Sequence, residues 1–218
     1  MKTSGIDNEN RDFDKEAAFW DENPARLRLA KDIAHAILKQ IVVTPEMNIM
    51  DFGCGTGLLS LQLQPFAASV TGADSSKGML DKFSTKIANL RLKNVHTVHL
   101  DPDRNGILAG NYDLVVSSMT LHHIKETEPL FAQFRNIIRP GGYLCIADLD
   151  PDDGQFHEDN TGVFHFGFDR AELRKVFTHA DFDNVQDTDA AEVVKPAANG
   201  EKRRFTVFLM TAQKKTDL

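Results

Sequence analysis

The chain has 218 residues, of which 41% are hydrophobic and 26% charged. This is ordinary globular usage, and a core of this size needs neither disulfides nor a metal as a staple. Twenty-five Lys and Arg against 32 Asp and Glu leave a net charge of −7, which excludes bulk attraction to a phosphate backbone. The dense basic run Lys202-Arg203-Arg204 leads into an apolar segment and reads as a strand entrance. No apolar stretch approaches the ~20 residues of a membrane helix, and the N-terminus lacks an apolar signal core. With two cysteines far apart, Cys54 and Cys145, the expectation is a cytoplasmic protein with free thiols, no nucleic-acid partner and no membrane association.

Residues 1–12 are polar and are expected to be flexible; residues 13–218 are expected to form one domain. A helical cap is predicted over 13–45: a helical pattern from Phe13 stops at Pro24, then Leu27, Ala30, Ile33, Ala34, Ile37, Leu38 and Ile41 recur at helical spacing. Strands at Asn48–Phe52, Ser69–Ala73, Val95–Leu100, Tyr112–Ser117 and Tyr143–Leu149 alternate with helical patterns across a core region at 46–149. The fourth helix-to-strand connection is Arg139-Pro140-Gly141-Gly142. Such alternation implies right-handed crossovers and a parallel sheet covered on both faces. After a long loop at 150–168 comes a C-terminal unit, 169–218. Asp169-Arg170-Ala171-Glu172 forms a capping box, and Val185–Val194 and Arg204–Gln213 form an antiparallel hairpin. The expected fold is α/β, with seven mostly parallel strands, an antiparallel C-terminal hairpin and helices on both faces.

The most informative segment is Asp51-Phe52-Gly53-Cys54-Gly55-Thr56-Gly57-Leu58. A strand ends, the backbone turns on glycines, and a helix begins, so a ligand can lie against the main chain. A dinucleotide fingerprint needs a glycine at position 58, where this chain has leucine. This argues against a nicotinamide oxidoreductase.

Asp51-x-Gly53-x-Gly55-x-Gly57 after an apolar strand resembles the first motif of class I S-adenosylmethionine (SAM)-dependent methyltransferases. Asp74 at the end of the second strand, Asp101 after the third, Asp113 in the fourth and Arg139–Gly142 before the fifth follow in the family's order. The resemblance covers residues 48–149 and implies a Rossmann-like fold, SAM as cofactor and S-adenosylhomocysteine as product. It also implies a binding site made of Asp51, Gly53, Cys54, Gly55 and Gly57 with Asp74 on the ribose hydroxyls. Asp101, Ser75 and Met79 would lie near the adenine, and Ser117 would receive the amino group. Pro102 departs from the pattern, because proline has no N–H to offer the adenine ring. In small-molecule members a comparable cap closes over SAM, so Trp20 is either a ligand wall or packing for the helix pair.

Methyl transfer from a sulfonium is an in-line displacement that asks the protein for positioning and exclusion of water. A base is needed only when the acceptor arrives protonated. His122 and His123, beyond the fourth strand, either serve as that base or fix their loop. His165, among Phe164, Phe166 and Phe168, either lines an apolar acceptor pocket or belongs to a loop pinned to the core. No metal is expected, since adjacent histidines do not readily converge on one ion and His157, Glu158 and His165 have no recognised spacing. The absence of base-methylation motifs and the acidic surface favour a small-molecule acceptor. The alternatives are a SAM-binding subunit or sensor without catalysis, and a protein or RNA acceptor. A monomer or weak homodimer is expected.

Overall fold

The computed structural model describes residues 11–100, 106–196 and 201–216. Seven strands form one sheet in the order β3-β2-β1-β4-β5-β7-β6. They are β1 (Asn48–Phe52), β2 (Ser69–Asp74), β3 (Val95–His99), β4 (Tyr112–Ser118), β5 (Ile138–Leu149), β6 (Phe182–Pro196) and β7 (Lys202–Lys214). Strands β1 to β5 pair in parallel, and β7 runs antiparallel to both β5 and β6. The expected architecture is therefore present, and the order reverses between β1 and β4, where open α/β sheets place their ligands.

The helices are α1 (Phe13–Glu16), α2 (Pro24–Gln40), α3 (Leu58–Leu63), α4 (Lys77–Leu90), α5 (Thr127–Ile137) and α6 (Arg170–His179). Alternating strand residues divide the core between the sheet's two faces. Met50, Phe52, Phe208 and Met210 join Phe131, Phe134 and Phe177 of α5 and α6. Ile49, Val207 and Leu209 join Ile33 and Ile37 of α2 and Leu59 and Leu63 of α3.

Three local features differ from the sequence pattern. Pro24 starts α2 as well as ending the preceding segment, because its missing N–H is no loss at a helix's first position. Between them, Ala17–Glu22 winds as a 3-10 helix. The Arg139–Gly142 turn is a bulge inside a longer β5, which begins at Ile138 opposite Tyr112 and shifts register before Tyr143. Pro140 offers no ladder donor and Gly141 takes φ +78°, so this stretch leaves the sheet and rejoins it. At this lower end of the sheet, Asp113 accepts hydrogen bonds from Asn48 N and from Arg139. It thus clamps the strand starts, away from the glycine turn.

Candidate functional site

The glycine turn links the upper end of β1 to α3, and its three glycines do different work. A methyl group on Gly53 would lie 2.2 Å from the Thr120 side chain, and one on Gly57 would lie 2.2 Å from the Phe83 ring. These two positions admit close packing against β4's exit and α4. Gly55, at φ +53°, has room for a Cβ, whose nearest neighbours would be Met79 Sδ and Trp20 Nε1 in ordinary contact at 4.0 Å. Of the three, only Gly55 leaves its backbone clear of close side-chain contact, so a ligand could lie against it. The Cys54 side chain is buried with Phe83 and Leu80, and burial pushes its thiol pKa up, so it remains a neutral packing group.

Asp74 ends β2 beside this turn. One carboxylate oxygen accepts from Gly55 N at 2.7 Å, and the other accepts from Ser76 N at 2.8 Å. Each oxygen keeps a further lone pair, so the carboxylate is held rigidly while still able to receive a diol. Burial raises its pKa despite these donors. Ser75 is exposed, and its carbonyl accepts from His99 Nε2 at 2.8 Å. Asp51 is fully buried beneath the turn and accepts from Ser60 Oγ at 2.5 Å. Desolvation, with Asp74 nearby, raises its pKa to about 7. Ser117, at the end of β4, has a buried hydroxyl oxygen without a hydrogen-bond partner. Asp101 and Pro102 lie outside the described residues.

The N-terminal segment lies over this turn. Thr56 Oγ1 donates to Asp21 at 2.6 Å, and Lys86 reaches the other oxygen of Asp21 at 2.7 Å. Asp14 accepts from Ser76 Oγ at 2.5 Å and Gly78 N at 2.8 Å, placing a carboxylate at the positive end of α4. Trp20 is half-buried, with the Arg26 guanidinium stacked 3.6 Å from its ring centre and Phe13 edge-on at 6.1 Å.

Beyond β4, a 3-10 turn at Leu121–His123 sets the rings of His122 and His123 4.2 Å apart. His122 is buried, and its Nδ1 donates to Asp148 Oδ1 at 2.7 Å. Asp148 is buried at the upper end of β5, and its pKa is lowered despite burial by its interactions with His122 and the Leu149 amide. His123 Nδ1 donates to Gly162 O at 2.7 Å, and its ring packs against Phe13 at 5.1 Å. Burial lowers the His123 pKa to about 4. His157, from the long loop, brings its Nε2 within 3.2 Å of His122 Nε2, and its Nδ1 accepts from Arg11 at 3.2 Å.

His165 is not part of this cluster. Its Nε2 donates to Ile124 O at 2.9 Å, its ring packs on Phe168, and Phe166 is exposed. This end of the loop is tied to the β4 exit, with Phe164 N donating to His122 O.

Sequence reasoning missed Asp148, Arg11, Asp14 and Asp21 as neighbours of the site. Asp148 had a usable signal: a lone acid inside the apolar run Tyr143–Leu149 needs a buried partner.

The parts suit SAM. There is a bare backbone face at Gly55, a pinned carboxylate at Asp74 and an orphan hydroxyl at Ser117, all at the upper strand ends. Fold and site together define the class I SAM-dependent methyltransferases. A family model described as a methyltransferase domain matches residues 16–187, and the chain belongs to that family. An uncharacterized methyltransferase of Schizosaccharomyces pombe is 32% identical over 155 residues, 64% of this chain and 55% of that protein. The chain thus spans little more than half the length of this curated relative. Among solved structures, the YcgJ protein of Bacillus subtilis matches with a TM-score of 0.71 at 14% identity, over 85% of this chain and 99% of that one. A Haemonchus contortus phosphoethanolamine N-methyltransferase in complex with SAM matches with a TM-score of 0.67 at 17% identity, over 84% and 52%. Among the described residues, no helix is long and apolar enough to cross a membrane.

Proposed function

We propose that this protein transfers a methyl group from SAM to a small-molecule acceptor held between the cap, the long loop and the upper ends of β4 and β5. The observation that carries the reading is the contact of the N-terminal residues Arg11 and Phe13 with the long loop and the β4 exit. A methyl group on Gly162 would lie 2.8 Å from Arg11 N, and Arg11 also donates to His157. With these residues meeting the loop above the strand ends, a macromolecular surface would have to part the contacts to reach them, which favours a small acceptor. The solved phosphoethanolamine N-methyltransferase, named for a small acceptor, supports the same class.

SAM supplies an activated methyl group on a sulfonium. This chain's residues bind, orient and exclude water. Asp74 would hold the ribose hydroxyls, the Gly55 backbone would lie against the methionine portion, and Met79 and Trp20 would flank the ligand. Asp101 is assigned to the adenine side and Ser117 to the amino group. His122 and His123 stand on the acceptor side, and His165 holds the loop in place. Cys54 and Cys145 are both free and buried, which suits the cytosol.

The test is calorimetric titration with S-adenosylhomocysteine, followed by transfer of labelled methyl to panels of small molecules, proteins and RNA. Micromolar binding with label in the small-molecule panel is expected. Binding with label found only in protein or RNA would overturn the acceptor class, and transfer to none of the panels would favour a sensor.

A further inference from the structure

His122, His123 and His157 each present a ring nitrogen within 4.8 Å of the other two. The two neighbours in sequence converge because the 3-10 turn overlays their rings, and the third arrives from a loop 34 residues on. In two of the three, Nδ1 is already committed: His122 donates to the Asp148 carboxylate and His123 to the Gly162 carbonyl. These bonds fix the tautomer that leaves the Nε2 lone pair outward, which is how outer partners orient imidazoles around metals. The Nε2 atoms of His122 and His157 stand 3.2 Å apart, close to the ~3.3 Å separating two ligands of a tetrahedral ion at bond lengths of about 2.0–2.1 Å.

Charge points the same way. Asp148 is 0% exposed, and its one ion-pairing neighbour among the described residues is His122. The carboxylate has no Lys or Arg partner among the described residues and accepts from His122 Nδ1, His122 N and Leu149 N, so a cation bound at His122 Nε2 would face it across the ring.

We infer that His122, His123 and His157 form a site for a divalent late transition ion of the zinc or cobalt kind, with Asp148 and Gly162 as its outer shell. Three imidazoles suit such ions, and the all-nitrogen set disfavours calcium and magnesium, which take oxygen ligands. A fourth position stays open for water. If the acceptor is held as proposed above, which this clause rests on, its hydroxyl or thiol would take that position and lose its proton more readily. Loading moves the proton of His157 from Nε2 to Nδ1, so the ring ceases to accept from Arg11. Arg11 keeps its two contacts with Glu16.

The experiment is titration of chelator-stripped, tag-free full chain with Co(II), read by visible absorption. Expected are ligand-field bands saturating at one ion per chain and abolished by Zn(II). His123→Ala and His157→Ala should each weaken binding tenfold or more, and Asp148→Asn by about 10–100-fold. Arg11→Met should bind at least as tightly as the parent, whereas a purely structural chain of hydrogen bonds gives no reason for that. Circular dichroism identifies any variant that fails to fold, and His157→Ala, on the loop, is the one least exposed to that failure. Absent bands, or bands unchanged in the His123→Ala/His157→Ala double variant, would overturn the site. A parallel titration with S-adenosylhomocysteine separates the two readings, since it depends on Gly55 and Asp74 and not on the imidazoles.

Discussion

At the scale of single residues, the glycine turn separates what folding requires from what a ligand requires. Gly55→Ala places a methyl group in ordinary contact with Met79 and Trp20 at φ +53°, so its cost is that of the left-handed backbone, about 1–2 kcal/mol. Gly57→Ala adds a collision with the buried Phe83 ring and should destabilise by roughly 1–3 kcal/mol more. Urea unfolding should rank Gly57→Ala below Gly55→Ala, while calorimetry should show Gly55→Ala losing affinity for S-adenosylhomocysteine despite its fold. Equal stability would show that the turn relaxes around both. Asp74→Ala removes a charge-assisted acceptor and should weaken binding of the same ligand by about 1.5–3 kcal/mol; an unchanged titration would defeat the ribose assignment.

At the scale of elements, the part of the cap that precedes α2 is tied to the glycine turn and to α4 by the side chains of Asp14 and Asp21, whereas α2 itself is anchored in the core. Asp14→Ala leaves Ser76 Oγ and Gly78 N without their acceptor at the start of α4. The expected result is a looser cap and an affinity for S-adenosylhomocysteine lowered about tenfold, equivalent to ~1.4 kcal/mol. Trp20 is the chain's single tryptophan and sits in the cap, so its emission reports cap position directly. In the parent protein, ligand should shift that emission, and in Asp14→Ala the unliganded emission should already be that of a more solvated indole. Identical spectra for the two unliganded proteins would show that Asp21 and the Arg26 stack suffice to hold the cap.

For the molecule as a whole, Asp51 links the site to stability. In the absence of ligand its folded pKa is about 7, raised from an unfolded value near 3.8 chiefly by desolvation. Folded protein therefore binds a proton that unfolded chain releases between those values. The contribution of Asp51 is fully present below the unfolded pKa and is lost as pH rises through the folded one. The span corresponds to at most about 4 kcal/mol. Asp51→Asn keeps an acceptor for Ser60 and abolishes the titration. Its stability relative to the parent should therefore rise between pH 4.5 and pH 8, as read from urea midpoints. A difference that does not change with pH would mean that Asp51 is ionised throughout.

Much of this was legible along the chain, because the signals are local. Two-residue alternation marks the strands, helical spacing marks α2, α4 and α5, and the turn Gly53–Gly57 with Asp74 lies within 24 residues of Asp51. Each of these is specified by neighbours in sequence, whose backbone geometry follows from residue type. The same locality explains the misjudged edges: Pro140 and Gly141 look like the end of an element, yet β4 and β7 keep the flanking residues in the sheet. The histidine cluster was out of reach. Adjacency suggested that His122 and His123 point apart, and nothing near His157 indicates that residues 150–168 fold back over β4. Only the packed structure, in which the buried carboxylate of Asp148 takes His122 as its partner and Arg11, just before the cap, meets the loop, decides which imidazoles face one another.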